Sequence, residues 1–215
     1  MNDAGTHRAP LDSPLDATLG SSLGTAISAP ITASMHGSIG FGSVILAAAG
    51  VVLLTLSAHL QVPLWPVPMT MQTYVVLVIA MAYGRRLGMA TMLAYLFAGA
   101  AGLPVFAGTP EKGLGVAYMA GPTGGYLVGF AVATWLVAKL AERGWDRRFV
   151  PCLAAMTAGH LLILGCGVAW LAVLIGGQRA IAVGFTPFVV ATVLKTLLAA
   201  ATLPAAWHAV SRLKR

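Results

Sequence analysis

Charge along this chain is confined to short clusters, and the stretches between them are apolar. No Asp, Glu, Lys or Arg occurs between Asp16 and Arg85, from Leu87 to Pro110, from Gly113 to Ala138, or from Phe149 to Gln178, and Lys195 alone interrupts the run from Ala180 to Ser211. A helix that crosses a bilayer needs roughly 20 mainly apolar residues. The pattern therefore predicts about six spanning helices, over 40–61, 69–84, 87–104, 120–141, 150–175 and 186–209. Pro63, Pro66 and Pro68 crowd the entrance to the second span and stop a helix from continuing, so an ordered, irregular connection is expected there. Residues 1–38, rich in Ser, Thr, Ala, Gly and Pro, read as a disordered cytoplasmic tail without a basic start and apolar core. A membrane domain follows over 39–211, and 212–215 form a basic cytoplasmic tail.

Composition sharpens this reading. Charged residues make up 9% of the chain, against about 25% in water-soluble domains, and mean hydropathy is +0.85. A soluble fold this poor in charge could not cover its surface; in a bilayer, lipid-facing positions are required to be apolar. The net charge of +7 does not point to nucleic acid, because the basic residues sit in the turns between spans. With six alternating spans, Arg85, Arg86, Lys139, Arg143, Arg147, Arg148, Arg212, Lys214 and Arg215 share one side, and only Lys112 and Arg179 lie on the other. The positive-inside rule then places both termini in the cytoplasm.

The opposite side carries a long Gly- and Pro-rich segment from Gly102 to Gly125, the kind of loop that holds binding function. Small residues recur at intervals of four: Gly125, Gly129 and Ala133 in the fourth span, Ala94, Ala98 and Gly102 in the third, Ser43 and Ala47 in the first. Such stripes let helices approach closely. Intramolecular packing is one use, and docking to a partner membrane protein, with Ser43 and Ala47 as candidates, is the other.

Lys195 is the outstanding polar residue. It precedes Arg212 by 17 positions, some 25 Å at about 1.5 Å per residue, which places it in the outer part of the membrane. A lysine at such depth costs about 2.5–3.5 kcal/mol on insertion scales, and no span carries an acid to neutralise it. It either snorkels to outer headgroups or faces a ligand-sized cavity, where a ligand carboxylate, a carbonyl oxygen or a backbone carbonyl is its partner. Phe188, Thr192 and Lys195 stand at i, i+4 and i+7 and share a helix face. Gln72 opens the second span with two donors and an acceptor suited to a urea- or amide-like group, or to a helix end. Tyr95, Tyr126 and Trp170 are candidate cavity walls or interface anchors. His59 and His160 are isolated and read as packing residues, and Cys152 and Cys166 as small buried hydrophobes. No GxxxxGK loop, HExxH or carboxylate pair is present, so energy from ATP requires another chain.

Three stretches together resemble the BioY family, the biotin-specific substrate-binding subunits (S components) of energy-coupling factor (ECF) transporters. They are Val67-Pro68-Met69-Thr70-Met71-Gln72-Thr73, Gly102-Leu103-Pro104-Val105-Phe106-Ala107-Gly108 and Gly121-Pro122-Thr123-Gly124-Gly125-Tyr126-Leu127. The resemblance covers about residues 40–209. It implies an all-α bundle of six transmembrane helices, with the ligand near the outer face under the loops joining spans one to two and three to four. It further implies biotin as ligand, no cofactor, and partnership with a transmembrane coupling protein and two ATPases; a homo-oligomer is left open. The family often ends its sixth-helix motif as Pro-Phe-x-Pro-Gly-Asp-x-x-Lys. Here Pro187, Phe188 and Lys195 match, while Val190, Ala191 and Thr192 replace Pro, Gly and Asp. A hydroxyl at 192 can bond a ureido group but carries no charge. Gln72, Thr192 and Lys195 would supply polar contacts, and Tyr95, Phe106, Tyr126 and Phe188 apolar wall. Other classes compatible with the residues are an S component or carrier for another vitamin or small organic acid, an intramembrane enzyme using Lys195, and a ligand-free scaffold.

Overall fold

The computed structural model describes residues 40–213; the tail expected over 1–38, and Lys214 and Arg215, lie outside the described residues. Among the described residues, seven α-helices and one two-stranded hairpin follow in order: α1 Phe41–His59, β1 Gln61–Val62, β2 Met69–Thr70, α2 Gln72–Ala100, α3 Gly115–Met119, α4 Gly124–Ala141, α5 Phe149–Ile175, α6 Gly177–Gly184 and α7 Val189–Leu213. Single 3₁₀ turns at Trp145–Arg147 and Thr186–Phe188 lead into α5 and α7. Among the described residues, five helical stretches are long and apolar enough to cross a membrane: Phe41–His59, Gln72–Ala100, Gly124–Ala141, Phe149–Ile175 and Gly177–Ala209. Their outer faces carry exposed Val, Leu and Ile, such as Val52 and Leu56 on α1 and Val193 and Leu197 on α7. Lipid tolerates such a surface; water does not.

Five stretches rather than six arise because the expected second and third spans follow each other without an intervening loop, as the two parts of α2 on either side of Gly84. Helix α2 is not straight. Gly84 sits at φ 70°, ψ −177°, outside helical geometry and in a region only glycine adopts freely. The Gln72 amide lies 2.6 Å from the Tyr95 hydroxyl across 23 positions, whereas a straight helix would hold them about 34 Å apart. The arms lie close beyond the turn: the Cβ position of Gly88 is 3.6 Å from the Ala80 Cα, an ordinary packing contact. Gly84 thus divides α2 into two antiparallel arms. The connection before α2 was expected to be irregular; instead a short antiparallel ladder pairs Gln61 with Thr70 and Val62 with Met69, enclosing the prolines where they need donate nothing.

The small-residue stripe of α4 packs inside the molecule. A Cβ on Gly129 would lie 2.9 Å from the Ile163 Cα of α5, and one on Gly125 would strike Trp170 and the Cys166 carbonyl; Ala133 is fully buried. With no hydrophobic drive between helices in lipid, this closeness supplies van der Waals contact instead. On α1, Gly50 meets Tyr83 and Thr91, and the Tyr83 hydroxyl donates to the Leu46 carbonyl oxygen at 3.1 Å. Ser43 and Ala47 are half-buried on the face shared with buried Gly50 and Leu54, which turns toward these neighbours.

The basic clusters gather at one end of the bundle. The Arg85 guanidinium at the α2 turn lies 3.8 Å from the Glu142 carboxylate after α4. The Arg147 guanidinium sits over the Trp207 ring near the end of α7, at 5.7 Å. Helix α7 continues through Leu213, with Arg212 in its last turn.

Candidate functional site

At the other end, the hairpin, the loop from Ala101 to Thr123 and the beginning of α7 close over a hollow between α2, α4, α5 and α7. The loop is held by aromatic packing. Phe106 stacks on Tyr118 at 5.0 Å between centroids and meets Tyr95 edge-on at 5.4 Å. A side chain on Gly99 would collide with the Phe106 ring, so α2 is bare where the loop folds against it. Tyr118 donates to the Ala107 carbonyl oxygen at 2.8 Å, and burial raises the pKa of its hydroxyl, which keeps the donor protonated. Trp170 of α5 donates to the Gly121 carbonyl oxygen at 3.0 Å. Trp170 is thereby a strap on the loop and does not line the hollow.

Lys195 is 8% exposed. Its ammonium donates to the Thr70 carbonyl oxygen at the end of β2 and to the Thr73 hydroxyl at 3.4 Å. The hairpin places the Thr70 carbonyl at the end of β2 toward α7, and the first turn of α2 supplies the Thr73 hydroxyl. An ammonium has three donors, so one remains for the hollow. Among the described residues no Asp or Glu lines the space, and the charge is offset by dipoles; in a low-dielectric surround that leaves a strong preference for an anion or a carbonyl oxygen.

Gln72 presents the complementary chemistry. The Tyr95 hydroxyl donates to the Val105 carbonyl oxygen at 2.9 Å, so its oxygen can only accept from the Gln72 amide nitrogen at 2.6 Å. The amide is therefore oriented with Nε2 toward Tyr95, and Oε1 is left as an acceptor for an N–H group. Gln72, Phe106, Tyr126, Phe188, Thr192 and Lys195 all line the hollow, as do Pro68 and Thr123 of the motif stretches. Tyr95 does not: it stands fully buried behind Gln72, orienting the amide instead of walling the space. Pro104 and Pro122 are exposed loop residues, Gly124 could not carry a side chain against the Met119 carbonyl, and the Gly121 amide closes a turn on the Tyr118 carbonyl at 3.0 Å.

Tyr126 anchors α6. Its hydroxyl donates to the Gly184 carbonyl oxygen at 2.7 Å, its ring lies 6.2 Å from that of Phe188, and bare Gly167 makes room for it. The resulting space, about 50 Å³ open to the centre of a water-sized sphere, is narrow; room for one water takes about 10–15 Å³ on this measure. Its lining is largely apolar and aromatic, with polar groups from Gln72, Thr192 and Lys195 among it. Thr70, Thr73, Tyr118 and His160 belong to this site and were not read as such from sequence. Thr70 and Thr73 flank Gln72 in the first motif stretch, the one cue available; Tyr118 and His160 carry no local cue.

A family model described as the BioY family matches residues 26–212. The chain is 36% identical over 156 residues to the probable biotin transporter BioY of Pyrococcus horikoshii, covering 73% of this chain and 90% of that protein. It is 37% identical over 158 residues to the biotin transporter BioY of Thermotoga maritima, again covering 73% and 90%. Among solved structures it is similar to the S-component for biotin from an ECF-type ABC transporter, with TM-score 0.67 and 19% identity over 78% of this chain and 91% of that one.

Proposed function

This chain belongs to the BioY family, and from that premise we propose that it is a membrane subunit that captures biotin in the hollow at Lys195 for uptake. It is a multi-pass helical membrane protein whose relatives are biotin transporters. The observation that carries the reading is a set of oriented polar groups, one Lys195 N–H and the Gln72 Oε1, inside an otherwise apolar bundle. Biotin has an apolar bicycle and chain, a ureido group and a carboxylate. Lys195 suits a carboxylate or carbonyl oxygen, Gln72 Oε1 suits an N–H, and the rings of Phe106, Tyr126 and Phe188 suit the apolar body. Because the hollow is narrow as it stands, the Phe106 loop and the hairpin must part to admit the ligand.

The arrangement in the membrane is six crossings, the two arms of α2 counting separately, with both termini in the cytoplasm of a bacterial inner membrane. The reversal at Gly84 supports the count, and the gathering of Arg85, Arg147 and the end of α7 at one end supports the orientation. The hollow then opens toward the outside. An ECF transmembrane coupling protein and ATPase pair would power release, since this chain carries no nucleotide-binding motif.

The test is a calorimetric titration of biotin into protein purified from biotin-depleted cells, beside Lys195→Ala. Tight wild-type binding and a weakening of at least tenfold in the variant are expected. Folded protein that takes up no biotin would remove this reading in favour of another vitamin or small acid. Co-purification of an ATPase pair with tagged protein tests the partnership.

A further inference from the structure

His160 reads from sequence as a packing residue of α5, yet among the described residues that line the hollow it holds a fully buried side-chain atom without a hydrogen-bond partner. It is 1% exposed and lines the hollow together with Thr192 and Lys195. Its Nδ1 lies 3.1 Å from the Met156 carbonyl oxygen and 2.9 Å from the Thr196 hydroxyl. Thr196 has a single hydroxyl hydrogen, and it donates to the Thr192 carbonyl oxygen at 2.7 Å. Nδ1 therefore faces two oxygens that can only accept from it. A bare Nδ1 there would set lone pair against lone pair, so the ring carries its hydrogen on Nδ1. In the neutral ring Nε2 is then a pure acceptor, and it is buried with no partner among the described residues. An orphaned acceptor in an apolar membrane bundle is costly unless something fills it.

We propose that His160 Nε2 accepts a hydrogen bond from an N–H of the bound ligand, making it a specificity-determining residue that selects cyclic urea or amide N–H donors. This rests on the biotin reading, under which the donor is a ureido N–H. His160 also borders a groove between α5 and α7 on the bundle's flank, lined by Leu161, Val193 and Leu197. Acyl chains on that side offer no N–H, so only the hollow can supply the donor. Gln72 and His160 both line one space; with Nε2 uncovered as the ligand enters, their two acceptors match a group that carries two N–H donors, and the chain needs no carboxylate at position 192 to read it.

The experiment uses the full chain in detergent, with biotin and a biotin methylated on a ureido nitrogen as probes. His160→Asn keeps an amide donor at the Nδ1 position and removes the acceptor; His160→Gln restores an acceptor near Nε2. The expected result is about tenfold weaker biotin binding by the Asn variant, partial recovery in the Gln variant, and a smaller penalty for methylation in the Asn variant than in wild type for one of the two nitrogens. Histidine ¹⁵N spectra, assigned by the Asn variant, should show an unprotonated Nε2 that shifts when biotin binds. Equal biotin affinity in wild type and the Asn variant, or an Nε2-protonated ring, overturns the proposal. So does an Asn variant that loses affinity for both probes alike, which marks a structural role. Wild-type protein that binds no biotin overturns the functional reading and the ureido assignment with it.

Discussion

Tyr95→Phe separates support of the site from contact with the ligand. The hydroxyl it deletes is fully buried and serves two neighbours: it donates to the Val105 carbonyl oxygen at 2.9 Å and accepts from the Gln72 amide at 2.6 Å. Phenylalanine leaves both without a partner at nearly unchanged volume, so packing against Phe106 is retained. A buried polar group left unsatisfied costs about 1–3 kcal/mol, and two such groups with partial relaxation bring the expected destabilisation to about 2–4 kcal/mol. Binding should respond less than stability. Gln72 loses its orientation rather than its side chain, so at most one net hydrogen bond to the ligand is weakened, about 0.5–1.5 kcal/mol, or two- to tenfold in Kd. The assay pairs thermal unfolding in detergent, without ligand, with calorimetric titration of biotin. A lowered Tm with a modest affinity loss is expected. Unchanged Tm and Kd would refute the hydrogen-bond relay, and a hundredfold affinity loss at unchanged Tm would make Tyr95 a direct ligand contact after all.

Three further outcomes follow from particular atoms. Gly84→Ala places a Cβ at φ 70°, ψ −177°, a conformation costing about 1–3 kcal/mol for a non-glycine residue; a lower Tm and yield of folded protein are expected, and wild-type values would show that the α2 reversal does not depend on glycine. Gly129→Ala forces α4 and α5 apart, its Cβ 2.9 Å from the Ile163 Cα, whereas Gly165→Ala on the exposed side of α5 meets nothing within 4 Å; the first should destabilise by about 1–3 kcal/mol and the second by none, as read in the same unfolding assay. Asp146, in the 3₁₀ turn beside Trp207, has its carboxyl raised above the usual range, chiefly by burial. The folded state thus holds this proton more tightly than the unfolded chain, so stability should fall as pH rises from the ordinary carboxylate range through the raised value. Asp146→Asn should flatten that slope in unfolding midpoints measured across pH, and a slope unchanged in the variant would assign it elsewhere.

Much of the architecture is legible in one dimension because the bilayer is a demanding solvent. Any stretch that crosses it must be apolar and must satisfy its own backbone, so charge-free runs mark the helices of α1, α4, α5 and α7 within a few residues of where they form. The placement of Arg85, Arg86 and the basic residues between α4 and α5 likewise follows from charge alone. Lys195 stands out for the same reason, since a lone ammonium in hydrocarbon demands an explanation wherever it sits.

What lies at short range in space and long range in sequence was invisible. Nothing near Lys195 announces that its partners are the Thr70 carbonyl and the Thr73 hydroxyl, more than a hundred positions away. Tyr95 was read as wall and proves to be the residue behind the wall, because which side of an antiparallel arm faces the hollow depends on how Gly84 turns the chain. His160 looks like any packing histidine until Thr196 and Met156 converge on one ring nitrogen and strand the other. Composition and charge decide which segments enter the membrane, because that is a local transfer of each segment from water to lipid. The orientation of donors and acceptors around an enclosed space is decided only when helices distant in sequence come within hydrogen-bonding distance.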